Sequence, residues 1–478
     1  MPMGELADVV SESAEPDKLA AARSPHEDGS SPSVEVRFLG GERGNALFAR
    51  RSFEAGEVVW EETPVSALQH FYSELVTPSC RCCFRAFKNL KESLDGALKM
   101  HGKSLDRDFP EAVGIAEEID AEILSSAESC EKTEGAPAVS GKGSSEPIQC
   151  PHGCKGWFCG AECLELACSG TSHSILCVEL PEAKKQLVQE YKKYCKVKQE
   201  SLWMGLLVYG EILSCVRHGM DLETAMVRFN FLSGSPQWQD MVEFETSDAY
   251  DLDRIEYYRD LRNQLLCESL SMVTDILSHY LADCSPLFEP DYWATLIGHF
   301  ARVSMSLIVT HPLTPRVQGV LEGRPRSEEA LAPLRKAFAV SMKVRNGLRE
   351  HDCELTTFPF YESGYPDSED SEDEDEWALP KVEGFCLLRL IAFTNHSCVP
   401  NVRVDFPYGD WTAVAQALRP LKAGDEVLMS YVDEDKGYDF RRKRLLFDYG
   451  FECGCEKCLA ELSSATPEAS GTASALRK

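Results

Sequence analysis

Three stretches toward the C-terminal end of the chain decide its fold: NHSCVPN at residues 395–401, GDEVLMSY at 424–431 and YGFECGCEKC at 449–458. The first is a polar loop, the second is an apolar strand that ends in Tyr431, and the third is rich in cysteine. These polar, aromatic and thiol side chains make the three stretches the main candidates for a functional site.

The charge of the chain indicates the kind of partner. Of its 478 residues, 43% are hydrophobic and 27% charged, which is typical of a globular protein. It has 49 basic and 78 acidic residues, a formal net charge of −29. Such a field repels nucleic-acid phosphates and attracts basic molecules. Zinc-dependent DNA binding is therefore disfavoured, and a basic protein is the expected partner.

The N-terminus and the cysteine content predict the compartment. The first residues are acidic and rich in Ala, Ser and Pro, unlike a secretory signal, and no apolar run approaches the ~18 residues that cross a bilayer. We therefore expect a protein of the nucleus and cytoplasm that binds no membrane. In this reducing environment, clustered cysteines among the 20 present are expected to bind metal rather than form disulfides.

Composition also separates ordered from disordered segments. Residues 1–33 and 462–478 mix charge with small polar residues and are predicted to be disordered tails. Alternating apolar residues after Val34 predict a small β meander, and apolar residues spaced by three and four within 178–350 predict helices. The segment 361–377, with eight acidic residues in ten consecutive positions, is predicted to be a solvated loop.

Four pairs of possible zinc ligands occupy residues 80–177, with an insertion at about 88–148 that is expected to be loose. The two members of each pair are separated by two or three residues, as in structural zinc sites. The pairs are Cys80 and Cys83, Cys150 and Cys154, Cys159 and Cys163, and His173 and Cys177. They suffice for two ions, but spacing alone does not distinguish an interleaved from a sequential pairing. Cys82 could replace a neighbour, and His152 could compete with Cys154.

A third cysteine cluster lies near the C-terminus. Cys453, Cys455 and Cys458 supply three thiolates, so a tetrahedral zinc ion there needs a fourth ligand from elsewhere. Cys398, inside the polar loop, is the natural candidate. One ion would then tie the C-terminal segment to the loop, close a site between them and contribute to local folding.

These residues resemble the SET and MYND (SMYD) family of protein lysine methyltransferases. The resemblance is strongest in the NHSC loop and the C-terminal cysteine segment. It implies an α+β fold in which a split SET-domain β fold is interrupted by a MYND-type zinc finger and a helical insert, with a zinc-binding post-SET segment. It also implies the interleaved pairing, with Cys80, Cys83, Cys159 and Cys163 on one ion and Cys150, Cys154, His173 and Cys177 on the other.

The long insertion in the finger, the sequence from Cys453 to Leu462 and the short C-terminal extension are most similar to the divergent fifth branch of that family. Twenty residues follow Cys458, so the C-terminal helical-repeat domain of most members is expected to be absent. The expected divisions are a disordered tail (1–33), the N-terminal part of the SET domain (34–79), the finger (80–177), the helical insert (178–350), the C-terminal SET core with its acidic loop (351–448), the post-SET segment (449–461) and a second tail (462–478).

The resemblance implies S-adenosylmethionine as the methyl donor and assigns residues to it. The expected contacts to its amino-acid end come from one loop and from the opposite one: Arg43, Gly44 and Asn45, and Asn395 and His396. Phe451 would stack on the adenine. The family's loop typically reads Arg-Gly-x-Gly-Leu, but this chain has Ala46 at the second glycine. If that position needs positive φ or a close backbone approach, Ala46 costs ~1 kcal/mol or more and lowers cofactor affinity.

The expected function is methyl transfer to a lysine of basic proteins such as histones or ribosomal proteins. Methyl transfer is an in-line displacement, in which positioning of the amine and the methyl group dominates. Tyr431 is the main expected catalytic residue, because its hydroxyl could orient both groups. Tyr449 would line a channel of low polarity that favours the neutral amine. The alternative is a non-catalytic adaptor whose zinc finger binds partner peptides on a SET scaffold, a reading that Ala46 favours.

Overall fold

The computed structural model describes residues 33–464, except 41–42, 87–88, 100–101, 130–146, 230–235, 242–251, 324–325 and 357–376. Short strands and long helices alternate along the chain, and the predicted α+β class is confirmed. The predicted disordered tails and acidic loop fall outside the described residues, apart from their edges. Among the described helices, none is long and apolar enough to span a membrane.

Twelve strands belong to the described part of the chain. They are β1 (Val34–Gly40), β2 (Gly44–Ala49), β3 (Val58–Glu62), β4 (Ser66–Gln69), β5 (Ile148–Gln149), β6 (Trp157–Phe158), β7 (Ser304–Val309), β8 (Val382–Leu387), β9 (Asn395–His396), β10 (Val402–Asp405), β11 (Ala413–Ala417) and β12 (Leu428–Met429). The strand predicted to end at Tyr431 is reduced to β12, because the residues just before β12 bond to β2 instead: Val427 donates to the carbonyl of Leu47, and Glu426 bridges to Phe48.

The α-helices, in chain order, are α1 (Phe71–Val76), α2 (Leu90–Lys99), α3 (Leu105–Asp108), α4 (Pro110–Ser129), α5 (Ala161–Gly170), α6 (Glu182–Lys198), α7 (Glu200–Arg217), α8 (Leu222–Val227), α9 (Leu252–Ile276), α10 (Pro290–Val303), α11 (Thr314–Gly323), α12 (Glu328–Thr356), α13 (Tyr438–Arg444) and α14 (Glu456–Ser464). Two π-helical turns cover Ser174–Glu179 and Leu445–Tyr449. Short 3-10 turns cover Trp238–Met241, Ser278–Tyr280, Ser285–Phe288 and Ile391–Phe393. Helix α14 enters the segment predicted as the C-terminal tail.

Strands from the two ends of the chain pair with each other and so bring distant segments to one place. β1 and β2 form an antiparallel hairpin, β3 pairs with β11, and β11 pairs with β10. A second sheet has the order β4, β8, β7. Its central strand needs glycine at position 384, because a Cβ atom there would lie 1.9 Å from the carbonyl oxygen of Leu68. These pairings assemble the split β fold around the intervening segments.

The boundaries of the predicted helical insert need correction. Strand β7 lies inside 178–350, and α12 continues past 350. Met305, Leu307 and Val309 alternate with other residues, and the last two are fully buried, which is the two-residue period of a strand. All six residues of β7 pair with β8, so tertiary pairing decides the conformation of this segment.

The insertion in the finger is predicted to be loose, but its described part is helical; residues 130–146 of it lie outside the described residues. Leu90, Leu94 and Leu98 recur every four residues on α2 and are fully buried. They pack with residues of α4 and α12 in one apolar core that includes Phe338. The leucine spacing is the sequence signal for this extra helical layer.

The helical insert has its own core, centred on α7. Leu202, Leu206 and Ile212, members of the predicted apolar stripe, are fully buried. Trp293 of α10 packs closely on this helix, since a Cβ atom at Gly205 would lie 2.4 Å from its ring. The glycine thus permits the close approach of two helices.

A buried histidine predicts loss of stability in acid. His311 is 2% exposed; its Nδ1 accepts the N–H of Leu313 at 3.2 Å, and its Nε2 lies 3.3 Å from Ser93 Oγ. Burial lowers the pKa of His311 from 6.5 to about 4. Because the unfolded chain takes up the proton first, the stability from the neutral ring is complete above pH 6.5 and decreases as the pH falls toward 4.

Urea unfolding of the native chain and of His311→Gln, at several pH values, tests this expectation. The native chain should lose up to about 1.4 kcal/mol more per pH unit than the variant within that window. If the free energy of unfolding decreases with pH equally in the two proteins, the His311 ring does not cause the acid sensitivity.

Candidate active site

The predicted zinc ligands gather into three groups. Within each group the ligand atoms all lie within 4.8 Å of one another. The groups are Cys80, Cys83, Cys159 and Cys163; Cys150, Cys154, His173 and Cys177; and Cys398, Cys453, Cys455 and Cys458. The two finger groups have the interleaved arrangement, and the third joins the polar loop to the C-terminal segment.

The distances within these groups fit tetrahedral zinc. With Zn–S bonds of about 2.3 Å, two sulfurs of a tetrahedron are about 3.8 Å apart. The sulfurs of Cys83 and Cys159 are 3.6 Å apart, and that of Cys398 lies 3.6 Å from Cys458 and 4.0 Å from Cys453. Backbone N–H groups also donate to ligand sulfurs, as from Cys455 to Cys453 at 3.4 Å. Four ligands at these separations suit a closed structural site.

The two ambiguous residues of the finger approach the groups by their backbone. The N–H of Cys82 donates to the sulfur of Cys80 at 3.4 Å, and the N–H of His152 donates to Cys150 at the same distance. Neither side chain belongs to a ligand group. Cys82 is instead buried in the small core of the finger.

A buried arginine accompanies the third group. Arg441 of α13 is 1% exposed, and its Nη2 lies 2.8 Å from a carboxylate oxygen of Glu461 and 3.7 Å from the sulfur of Cys458. Its positive charge partly offsets the negative charge of four thiolates. The C-terminal segment is thus held by the sulfurs and by an internal ion pair.

The polar loop and the strand that precedes Tyr431 are bonded to each other. β9 pairs in parallel with β12, and the N–H of Ser397 donates to the carbonyl of Met429 at 2.9 Å. The buried side chain of Asn401 donates to the carbonyl of Glu426 and accepts the N–H of Leu428, both at 2.8 Å. These contacts fix the position of β12 and therefore of Tyr431, which follows it.

Tyr431 lies within a cluster of aromatic rings. Its ring centroid is 4.7 Å from that of Tyr449, 5.3 Å from His396 and 6.4 Å from Phe451. Its hydroxyl donates to the backbone carbonyl of Thr394 at 2.7 Å. Burial, and to a smaller extent Tyr449, raises the pKa of Tyr431 far above its usual range. The group is therefore a neutral phenol whose oxygen is left as an acceptor.

His396 joins Tyr431 to the third cysteine group. Its Nδ1 accepts the backbone N–H of Tyr431 at 3.0 Å, so in the neutral ring the proton resides on Nε2. That nitrogen lies 3.2 Å from the sulfur of Cys398. Burial, with a smaller contribution from the charge of Arg441, lowers the pKa of His396 to about 4. The imidazole thus supports the tyrosine from the side of the thiols.

The other predicted cofactor residues meet at a polar corner, formed by Arg43, Asn395 and Glu426. Arg43, just before β2, forms an ion pair with Glu426. The side chain of Asn395 donates to the same carboxylate at 3.1 Å. Gly44, with φ +54°, starts β2 beside this corner, and Asn45 follows it in the strand.

Ala46 does not strain the backbone. It lies within β2 opposite Arg37 and is fully buried, and it is not among the described non-glycine residues with positive φ. The conformational reason to expect weaker cofactor binding at this position is therefore absent. Ala46 is the residue that favoured the non-catalytic adaptor, and its backbone conformation does not support that alternative.

Comparison with known families identifies the fold. The SET domain family matches residues 44–432. This chain belongs to the SET domain family. The match begins at the polar corner and ends just after Tyr431, so it contains most of the site and encloses the finger and the helical insert.

Two relatives of this SET-domain protein match most of its length, and a third matches a short part of it. The chain is 25% identical over 440 residues to the protein-lysine N-trimethyltransferase SMYD5 of Homo sapiens, covering 90% of this chain and 87% of the relative. It is 23% identical to the histone-lysine N-methyltransferase ATXR2 of Arabidopsis thaliana, covering 90% and 91%. A SET and MYND domain-containing protein of Dictyostelium discoideum is 43% identical over 79 residues, 16% of this chain. The predicted family resemblance is confirmed.

Three residues of the SET site are not predicted by the sequence. Glu426 bonds to two expected cofactor residues, the carbonyl of Thr394 accepts the tyrosine hydroxyl, and Arg302 of the helical insert lies next to Gly450. Gly450 has φ +76°, and a Cβ atom there would lie 3.0 Å from Nη2 of Arg302. In the sequence, Gly450 between Tyr449 and Phe451 is the feature that indicates a close contact at this position.

Proposed function

We propose that this SET-domain protein is an S-adenosylmethionine-dependent protein-lysine N-methyltransferase. The proposal depends mainly on the position of Tyr431 among the aromatic rings. Tyr431 follows β12, which pairs with β9, and the same two segments carry Glu426 and Asn395 of the polar corner. The names of the relatives, a protein-lysine and a histone-lysine methyltransferase, support the same reaction.

The residues of the polar corner and the aromatic cluster fit the cofactor. S-adenosylmethionine, when bound, supplies a methyl group attached to a sulfonium. Arg43, with Gly44 and Asn45, would hold the carboxylate of its amino-acid end, because a guanidinium binds carboxylates through paired hydrogen bonds. Asn395 and His396 would contact it from the opposite loop, and the ring of Phe451 would stack on the adenine.

Tyr431 would act as an acceptor, not as a base. Its O–H bond is directed to Thr394, so the lone pairs of its oxygen are available to an amine N–H or to a polarised methyl group. Its raised pKa disfavours the phenolate that a base would require. A fixed acceptor that aligns amine and methyl lowers the barrier by positioning.

Tyr449 supports a channel for the neutral lysine. Its ring packs on that of Tyr431, and both belong to one apolar cluster with Leu445 and Phe451. Such surroundings disfavour an ammonium ion and lower the pKa of an entering amine, which increases the fraction of the nucleophilic form. Tyr449 is thus proposed to line the lysine site.

Three structural zinc ions are proposed for the three ligand groups. Their geometry fits zinc, and a closed set of four ligands leaves no open position for substrate, so the ions would stabilise the fold.

The clustered thiols also favour a reducing compartment. We propose that the protein works in the nucleus and cytoplasm.

The proposed substrates are histones or other basic proteins such as ribosomal proteins. The net charge of −29 favours basic partners over nucleic acid, and the name of the Arabidopsis relative includes histone lysine. The finger is a further candidate site for a partner peptide.

The test is transfer of labelled methyl from S-adenosylmethionine to purified histones and to ribosomal proteins, followed by mass spectrometry of the modified lysines. Label on lysine is expected, and it should diminish as salt screens the charge attraction. Calorimetry distinguishes the adaptor alternative, which predicts binding of peptide but no heat from S-adenosylmethionine.

A further inference from the structure

Glu426 is an acidic group to which the expected cofactor contacts give no role. Its side chain is 16% exposed and lies between Arg43 and Asn395. Both neighbours point their polar groups to its carboxylate, which therefore forms the centre of the polar corner. A ligand carboxylate that replaces Glu426 on Nη2 of Arg43 would lie next to this network.

The backbone fixes the direction of this side chain. The N–H of Val427 donates to the carbonyl of Leu47 at 2.7 Å, and the carbonyl of Glu426 accepts the side chain of Asn401 at 2.8 Å. Successive side chains of extended chain point to opposite sides. Because Val427 is fully buried in the core, Glu426 is directed to the other side, toward the corner. The carboxylate is thus held in place before any ligand binds.

The charges of the corner match those of an amino acid. The amino-acid end of S-adenosylmethionine carries one carboxylate and one ammonium group. Arg43 and Glu426 present the opposite charges side by side, so a zwitterion can replace their direct contact with two ion pairs. This exchange leaves both protein charges paired, which limits the cost of desolvation.

We propose that Glu426 binds the α-ammonium group of S-adenosylmethionine, while Arg43 binds the carboxylate. This assignment rests on the proposed function and adds a cofactor contact that none of the expected site residues supplies. It makes Glu426 a determinant of specificity for ligands with a free amino group. Asn395 then keeps the carboxylate of Glu426 oriented.

Calorimetry with two ligands tests the assignment. The probes are S-adenosylhomocysteine and its deaminated analogue, S-adenosyl-4-thiobutyrate, which lacks only the amino group. The native chain is expected to bind the first about tenfold or more tightly, since the ammonium forms a charge-assisted bond. Glu426→Gln should bind both ligands with similar affinity, and Asp425→Asn, which removes an equal charge next to it, should discriminate like the native chain.

One further variant separates this role from a structural one. Glu426→Asp retains the charge and should retain part of the discrimination, even if Glu426→Gln does not fold. Equal binding of the two ligands by the native chain would overturn the assignment, as would full discrimination by Glu426→Gln. Failure of the native chain to bind either ligand would overturn the proposed function itself, so the two failures are distinguishable.

Discussion

Tyr431→Phe is expected to lower kcat by about 100-fold or more while the affinity for S-adenosylhomocysteine stays nearly constant. The phenol oxygen is a fixed acceptor, and such preorganised groups act mainly on the transition state. The substitution keeps the ring, so its contacts with Tyr449 and His396 persist. Single-turnover methyl transfer, with calorimetry on the same preparation, separates the chemical step from binding.

Tyr408→Phe is the matched control for that prediction. The Tyr408 hydroxyl also bonds to the protein, in this case to the carboxylate of Glu61 on the exposed surface. The Tyr408→Phe substitution should leave kcat within about twofold of the native value, as is usual for surface changes. A Tyr431→Phe enzyme with native kcat would remove the hydroxyl from the mechanism.

Cys455→Ser is expected to abolish methyl transfer and to release one equivalent of zinc. The third ligand group brings Cys398 of the polar loop to the C-terminal segment, and a zinc ion bound there would contribute directly to folding, by ~10 kcal/mol or more in small zinc peptides. Without it, the segment that carries Tyr449 and Phe451 loses its attachment to the loop. Metal analysis, activity and hydrogen exchange of 449–464 would measure the three effects.

The control for that change is Cys267→Ser, which alters an exposed cysteine outside the ligand groups. It should retain native zinc content and activity. Selective loss of protection in 449–464 is the decisive signature, because general unfolding would affect the helical insert as well. Native zinc content in Cys455→Ser would contradict the metal assignment.

Local chemistry made part of this site predictable. Ligand pairs such as Cys80 and Cys83 are recognisable from spacing, and three thiols near the C-terminus require a fourth ligand, which pointed to Cys398. The position of Tyr431 beside the polar loop was likewise predictable, because it follows a short apolar segment of the kind that resembles the family's. These predictions depend on residue types within short windows, where sequence is most informative.

Long-range contacts were not predictable from such windows. Arg43 and Glu426 are separated by 383 residues, and no pattern in either segment indicates the other. The conformation of β7 depends on its pairing with β8, and the insertion helices depend on packing against α12. The positive φ considered for Ala46 is not found for a similar reason, because strand pairing determines the φ angle that the residue adopts.

The sheet formed by β4, β8 and β7 has a consequence for biosynthesis. The hydroxyl of Tyr72 bonds to the carboxylate of Glu383, 311 residues later in the chain. Strand β4 likewise pairs with β8, so a ribosome delivers β4 long before the strand that will cover its edge, and uncovered strand edges promote aggregation. Chaperone protection of the nascent N-terminal half is expected to set the yield of this enzyme, and refolding from urea should be slow because its topology is non-local.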